Sequence, residues 1–257
     1  MDLRSHIYSP TQNVAVWMAA WHLHVCSTDD FTQAMQALEG PTDAQFAGRL
    51  RAALDQAADF GGWLDSAAPH IHLRMSGPGD PLPAVAAAAL QAADVPARYR
   101  QAVIVVGGAY DPNPTIIARG RQDWLLLDAG SALPEPVFPS PGQADQELAN
   151  ATRGAAGSIA AATATGAAAQ LTAKDPRLLV GSLSDFYDTP GLPAHTPPRA
   201  ARLFARADRV AAIIETVTDR LGNHSLDPQL LALSKHVRTA RMAGVAYAVT
   251  EWRKQSL

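Results

Sequence analysis

Two histidines and the chain's single cysteine fall within Trp21-His22-Leu23-His24-Val25-Cys26, and His70 and His72 flank Ile71 further on. Imidazole nitrogen and thiolate sulfur are the donors that tetrahedral zinc takes. On a helix His22 and Cys26, four residues apart, share a face while His24 points away from it. On a strand His70 and His72 lie on one side, so His22, Cys26, His70 and His72 together would make a four-ligand site if the two segments met in space. That chemistry would be metal-assisted or other hydrolysis. The spacing matches neither HExxH nor a zinc finger, so histidines that are partly exposed or hydrogen-bonded are the simpler expectation.

Two other constellations suit anions. Ser76-Gly77-Pro78-Gly79-Asp80-Pro81 stands between a strand-like and a helix-like segment, where backbone amides at a helix start can receive an anion, with Gly77 and Gly79 as the contacts. The third glycine of a dinucleotide loop and the Lys-Ser/Thr of a P-loop are both absent, and the prolines remove donors. A structural loop is therefore the competing reading. Further on, Arg199, Arg202, Arg206 and Arg209 fall on one side of a helix at 3.6 residues per turn, and Lys235, Arg238 and Arg241 repeat the basic theme on the next. Arg202, Arg206 and Arg209 are the candidate contacts to an anionic ligand. Arginines beside an apolar stripe also cover it with their stems or pair with acids. The lack of interleaved aromatics argues against nucleic acid.

Nucleophile patterns are missing. There is no G-x-S-x-G, and Ser182, Ser184, Asp185 and Asp188 have no nearer histidine than His195. Asp29 and Asp30 already serve a helix cap.

The elements that must position these residues are well punctuated. Val14, Trp17, Met18, Trp21 and Val25 predict an amphipathic helix, Ser27 with Asp30 a capping box opening a second one that stops at Gly40, and Thr42-Asp43-Ala44-Gln45 a third helix with Phe46, Leu50 and Leu54 on one face, ending near Gly61-Gly62. His70 to Met75 alternates like a half-buried strand. With the apolar runs AVIVVGG, TIIAR and DWLLLDAG it predicts a small, mostly antiparallel sheet over roughly 69–128. Prolines at 134–141 interrupt regular structure. An Ala-rich stretch over 143–173 follows, in which Gly154, Gly157 and Gly166 suggest close approach of another element. After a second Pro-rich connector at 185–198, Leu203, Val210, Ile214, Val217 and Leu221 form one helical stripe ended by Gly222-Asn223. Asp227-Pro228 opens a final helix through Trp252.

Composition narrows the class. An apolar fraction of 47% with 18% charged residues suits a folded globular chain of 257 residues, and one cysteine allows no internal disulfide. MDLRSHIYSP lacks a basic segment followed by an apolar run, so a cytoplasmic location is expected. The Ala/Gly window at 154–173 has Ile159 and Leu171 as its large apolar residues and is not expected to enter a membrane. Net charge is −7 over residues 1–176 and +4 over 177–257, an asymmetry that fits either a basic face or attraction between the halves.

Three segments, YSPTQNVAVWMAAW, LRMSGPGDPLPAVAAAALQAAD and PPRAARLFARADRVAAIIETV, resemble an uncharacterised family of actinobacterial proteins of about this length. The resemblance implies co-linearity over most of the chain and carries no catalytic residue across.

The expected architecture is α+β and mainly helical, with a small, mostly antiparallel sheet in the middle of the chain. A single domain over 1–257 is expected, with a subdivision into 1–133 and 143–257 as the alternative. The expected function is a non-catalytic cytoplasmic binding or interaction protein, whose partner is a protein or a small anionic ligand. A hydrolase using the His/Cys cluster is the alternative, and a nucleic-acid-associated factor the weaker one. The Ala/Gly stretch offers a seam for a homodimer. No membrane association is expected, and no cofactor is identified.

Overall fold

The structure is a computed structural model and describes residues 10–42, 44–60, 71–107, 111–134, 136–164, 191–221 and 227–256. Asp43, Gly61, Gly62, His70, Gly166, Ser182, Ser184, Asp185, Asp188, Gly222 and Asn223 lie outside the described residues.

The elements are α1 (Pro10–His22), α2 (Thr28–Ala37), α3 (Ala44–Phe60), β1 (Ile71–Met75), α4 (Ala84–Ala92), a 3-10 turn (Ala97–Tyr99), β2 (Ala102–Val106), β3 (Thr115–Arg119), β4 (Trp124–Asp128), α5 (Pro141–Ala164), α6 (Pro198–Leu221) and α7 (Asp227–Ser256). The fold is α+β and mainly helical, and the strands form an antiparallel sheet in the order β1-β2-β3-β4. Among the described residues no helix is long and apolar enough to cross a membrane.

Alternation along the strands sorts side chains onto two sheet faces. In register, Leu73 lies opposite Ile104 and Ile104 opposite Ile117. These side chains pack with α1, α2, α3 and the end of α7. Val103, Val105, Ile116 and Ala118 point the other way, against Ala86 and Leu90 of α4. The central strands are thus covered on both faces. The helices α5, α6 and α7 share a second core built on Leu148, Leu203, Val210, Ile214, Leu233 and Val237. α7 joins the two, since Val245, Val249 and Trp252 near its end enter the core of the sheet. Each such fully buried large side chain contributes about 1.5–3 kcal/mol.

The predicted capping box is present: Ser27 Oγ accepts from the Asp30 amide at 3.0 Å, and Asp30 accepts from the Ser27 amide at 3.3 Å. Two expectations need correction. First, α1 is buried nearly all round and is not amphipathic, for Thr11, Gln12 and Asn13 are buried along with Val14 and Val16. Second, among the described residues a Cβ at Gly154 or Gly157 would meet nothing within 4 Å, so no element approaches closely there. The close approach occurs instead at Gly244, where a Cβ would stand 2.4 Å from the Phe204 ring.

Candidate functional site

The helical face predicted from the arginine spacing forms one wall of a cleft. Arg199, Arg202, Arg206 and Arg209 of α6 line a space of about 430 Å³ whose opposite rim is Pro141, Gly142 and Asp145 in the first turn of α5. Local sequence explains both walls. Pro198 at the start of α6 tolerates the missing amide there, and the 3.6 period then stacks the arginines over three turns. At α5, Ser140 Oγ accepts from the Gln143 amide at 3.2 Å, so a capped helix start with its partial positive charge borders the same space.

Asp145 is the sole carboxylate among the described lining residues, and it is engaged by Arg206, whose Nη1 lies 3.1 Å from Asp145 Oδ2. The two side chains are 45% and 39% exposed, so this pair contributes about 0–1 kcal/mol. Among the described residues Arg199, Arg202 and Arg209 have no ion-pair partner. Three unmatched guanidinium groups therefore face one concave space with a helix start behind it.

The histidines are distributed differently. α1 ends at His22, because His24 takes a left-handed conformation with φ of 58°, the His24 amide donates to the Trp21 carbonyl at 3.1 Å and the Val25 amide to the Ala20 carbonyl at 2.7 Å. These two bonds are a Schellman stop. This corrects the shared helical face expected of His22 and Cys26: Cys26 is beyond the helix. It lines another cleft, of about 780 Å³, with His24, Asp30, Arg51 and His195, and His22 is not on its wall. Burial and the neighbouring His24 push the His22 imidazole below its ordinary range. The Cys26 thiol is pushed up to about 11 by burial and by Asp30, which keeps it protonated at neutral pH and makes it a poor nucleophile. His72 stands on β1 with its ring centroid 6.5 Å from that of Phe138. His70 lies outside the described residues. Among the described residues no three of His, Cys, Asp and Glu gather closely enough to hold a metal ion.

The loop at Ser76–Pro81 is closed on itself. Gly77 and Asp80 exchange amide-to-carbonyl bonds of 3.0 and 2.9 Å, so neither amide is turned toward an anion, while Gly79 takes φ of 76° at the tip. Gly77 and Gly79 do not line the arginine cleft. Gly77 has a different neighbour that the sequence does not reveal: a Cβ there would stand 2.3 Å from Cζ of Arg238. Arg238 and Arg241 are buried, at 0% and 2% exposure, which corrects their reading as a surface continuation of the basic stripe. Arg238 Nη1 donates to Ser234 Oγ at 3.2 Å, and Asp80 supplies a favourable field.

Residues 142–242 match the family model described as Rv1486c-like protein, C-terminal domain. The Rv1486c-like region contains α5, α6 and the first half of α7, and with them every arginine of the cleft. A stretch of 112 residues is 37% identical to an uncharacterised protein, ML1804, of Mycobacterium leprae (strain TN). It covers 40% of this chain, and the chain spans about 37% of the length of that curated relative. Both likenesses agree with the resemblance to an uncharacterised actinobacterial family. No solved structure matches the chain.

Proposed function

We propose that the protein is a non-catalytic binder of a small phosphate-bearing anion, held in the cleft between the start of α5 and the first three turns of α6. The observation that carries this reading is the convergence of Arg199, Arg202, Arg206 and Arg209 on one space with a single opposing carboxylate. Guanidinium forks match phosphate oxygens in pairs, and such charge-assisted bonds are about twice as strong as neutral ones. The volume of about 430 Å³ falls within the ~300–1,000 Å³ of small-molecule sites. The exposed Arg206–Asp145 pair can exchange its carboxylate for the ligand at little cost.

Two features favour binding over catalysis and over nucleic acid. The described lining has no serine, cysteine, histidine or lysine, hence no nucleophile with a base beside it. It also has no aromatic ring on which a base would stack.

The test is calorimetric titration of the intact protein with inorganic pyrophosphate at physiological salt, beside an Arg202→Gln, Arg209→Gln double variant. Loss of two charge-assisted contacts should weaken binding by about tenfold or more. Equal affinity in the variant, or no saturable binding to the native chain, would overturn the reading.

A further inference from the structure

A third cavity lies beside the last turns of α7. It is a slot of about 210 Å³ between β1 and the last turns of α7, roofed by the Pro-rich segment that follows β4. Ile71, Val105 and Val249 are among its lining residues and are 2%, 1% and 5% exposed. Leu133, Pro136 and Phe138 form the roof. Three features of the sequence make the space. Ala246, Val249, Thr250 and Arg253 recur at helical spacing along one face of α7, and the small Ala246 leaves room. Gly107, with φ of 156°, lets the end of β2 come close to its surroundings, since a Cβ there would meet Pro114 at 2.6 Å and the Asp111 carboxylate at 2.7 Å. Arg74 donates through Nη2 to the Pro134 carbonyl and ties the roof to β1.

Arg253 is the fixed charge on the described lining of this slot, and the Asp111 carboxylate stands behind Gly107. Arg253 and His72 are its ionisable lining residues, and no Asp or Glu is among the described ones. Arg74 stands two residues from His72 on the same side of β1. Nε of Arg74 and Nε of Arg253 are both buried and make no hydrogen bond among the described residues. Neither guanidinium has an ion-pair partner among the described residues. Buried donors are ordinarily hydrogen-bonded. An anion entering the slot would supply the acceptor that Arg253 lacks, and Ile71, Val249 and Phe138 would hold an apolar body attached to it.

We propose that this slot binds a small apolar carboxylic acid, its carboxylate on Arg253 and its hydrocarbon or aryl body between Ile71, Val249 and Phe138. The volume sets the scale, for ~300–1,000 Å³ is usual for drug-sized ligands and this slot is smaller. The ligand is thus nearer to benzoate than to a long-chain lipid. The site is separate from the arginine cleft and does not depend on it.

The probe is 4-fluorobenzoate, followed by its fluorine resonance as the intact protein is titrated at physiological salt. Saturable binding is expected, weakened about tenfold or more in Arg253→Gln and for the neutral analogue 4-fluorobenzyl alcohol, because a charge-assisted contact is lost in each case. Ala246→Leu should fill the slot and abolish binding. Arg253 is half-buried, so the Arg253→Gln chain is expected to keep its fold, which its circular dichroism and melting curve check. Binding should be unchanged in the Arg202→Gln, Arg209→Gln variant. Absence of saturable binding, equal binding of the alcohol, full affinity in Arg253→Gln, or loss confined to the cleft variant would each overturn the proposal.

Discussion

Arg241 Nη1 on α7 lies 2.7 Å from Oδ1 of Asp208 on α6, with the two side chains 2% and 8% exposed. The same nitrogen donates to Oε1 of Gln12 on α1 at 2.6 Å. One ion pair thereby ties the first helix to the last two. Buried pairs contribute little net stability, yet breaking one strands a charge and costs about 3–5 kcal/mol. Asp208→Asn should lower unfolding free energy by about that amount, and Asp208→Leu with Arg241→Met should recover most of it. Urea unfolding measures both. Equal loss in the single and double variants would mean that the pair is worth more than its apolar replacement.

Close approach at two glycines makes opposite predictions from those for two exposed ones. Gly77→Ala drives a methyl against the buried Arg238 guanidinium, and Gly244→Ala drives one against the Phe204 ring, which is 1% exposed. Each should destabilise by about 1–3 kcal/mol. Gly154→Ala and Gly157→Ala on α5 meet nothing among the described residues and should stabilise by up to about 1 kcal/mol each through helix propensity. Thermal melting separates the two classes. Size-exclusion chromatography of the α5 variants additionally reports whether that face seats a second copy.

His24 occupies the left-handed position of the stop after α1, a conformation that costs an L residue about 1–2 kcal/mol. Glycine adopts it freely but loses more chain entropy on folding, by about 0.5–1 kcal/mol. His24→Gly should therefore raise stability by about 0.5–1 kcal/mol. Glu39 and Asp94 end α2 and α4 in the same way, with φ of 50° each. There the side chains also reach Arg119 at 2.5 Å and Arg121 at 3.5 Å, so Gly at either position should change stability less.

With the Cys26 thiol pushed up to about 11, its thiolate fraction near pH 8 is about a hundredfold below that of an ordinary cysteine. Iodoacetamide labelling of the folded protein should be slower than that of the urea-unfolded chain by a similar factor. Asp30→Asn removes one cause of the shift and should accelerate labelling. Labelling as fast as in the unfolded chain would return Cys26 to consideration as a nucleophile.

Stability should also depend on pH through His22. Its folded value is below the ordinary one near 6.5 because burial disfavours the cation. The unfolded chain then binds more protons in that window, so stability is full above about pH 6.5 and is lost as pH falls through the folded value. His22→Gln should flatten this slope in urea unfolding measured between pH 5 and pH 7.

Local features were legible without the fold because their causes are local. The Ser27–Asp30 box spans three residues, the alternation of Ile71, Leu73 and Met75 needs only the pleat, and the four arginines of α6 share a side because 3.6 residues make a turn. The sequence by itself therefore determined most of the elements, their succession along the chain, and one wall of the arginine cleft. The opposing wall, with Asp145 some 61 residues before Arg206, belongs to tertiary packing. So does the fate of the second group of basic residues. Arg238 and Arg241 read like Arg202 and Arg206 in sequence, and what buries them is Gly77, Asp208 and, 229 residues away, Gln12. The histidines divide on the same ground. Whether His22, Cys26 and His72 meet depends on where α1 stops and which side of β1 faces α7, and the stop at His24 uses a left-handed residue that periodicity in Trp17, Trp21 and Val25 does not encode. Desolvation and close approach are properties of distant segments brought together, and only the tertiary structure decides them.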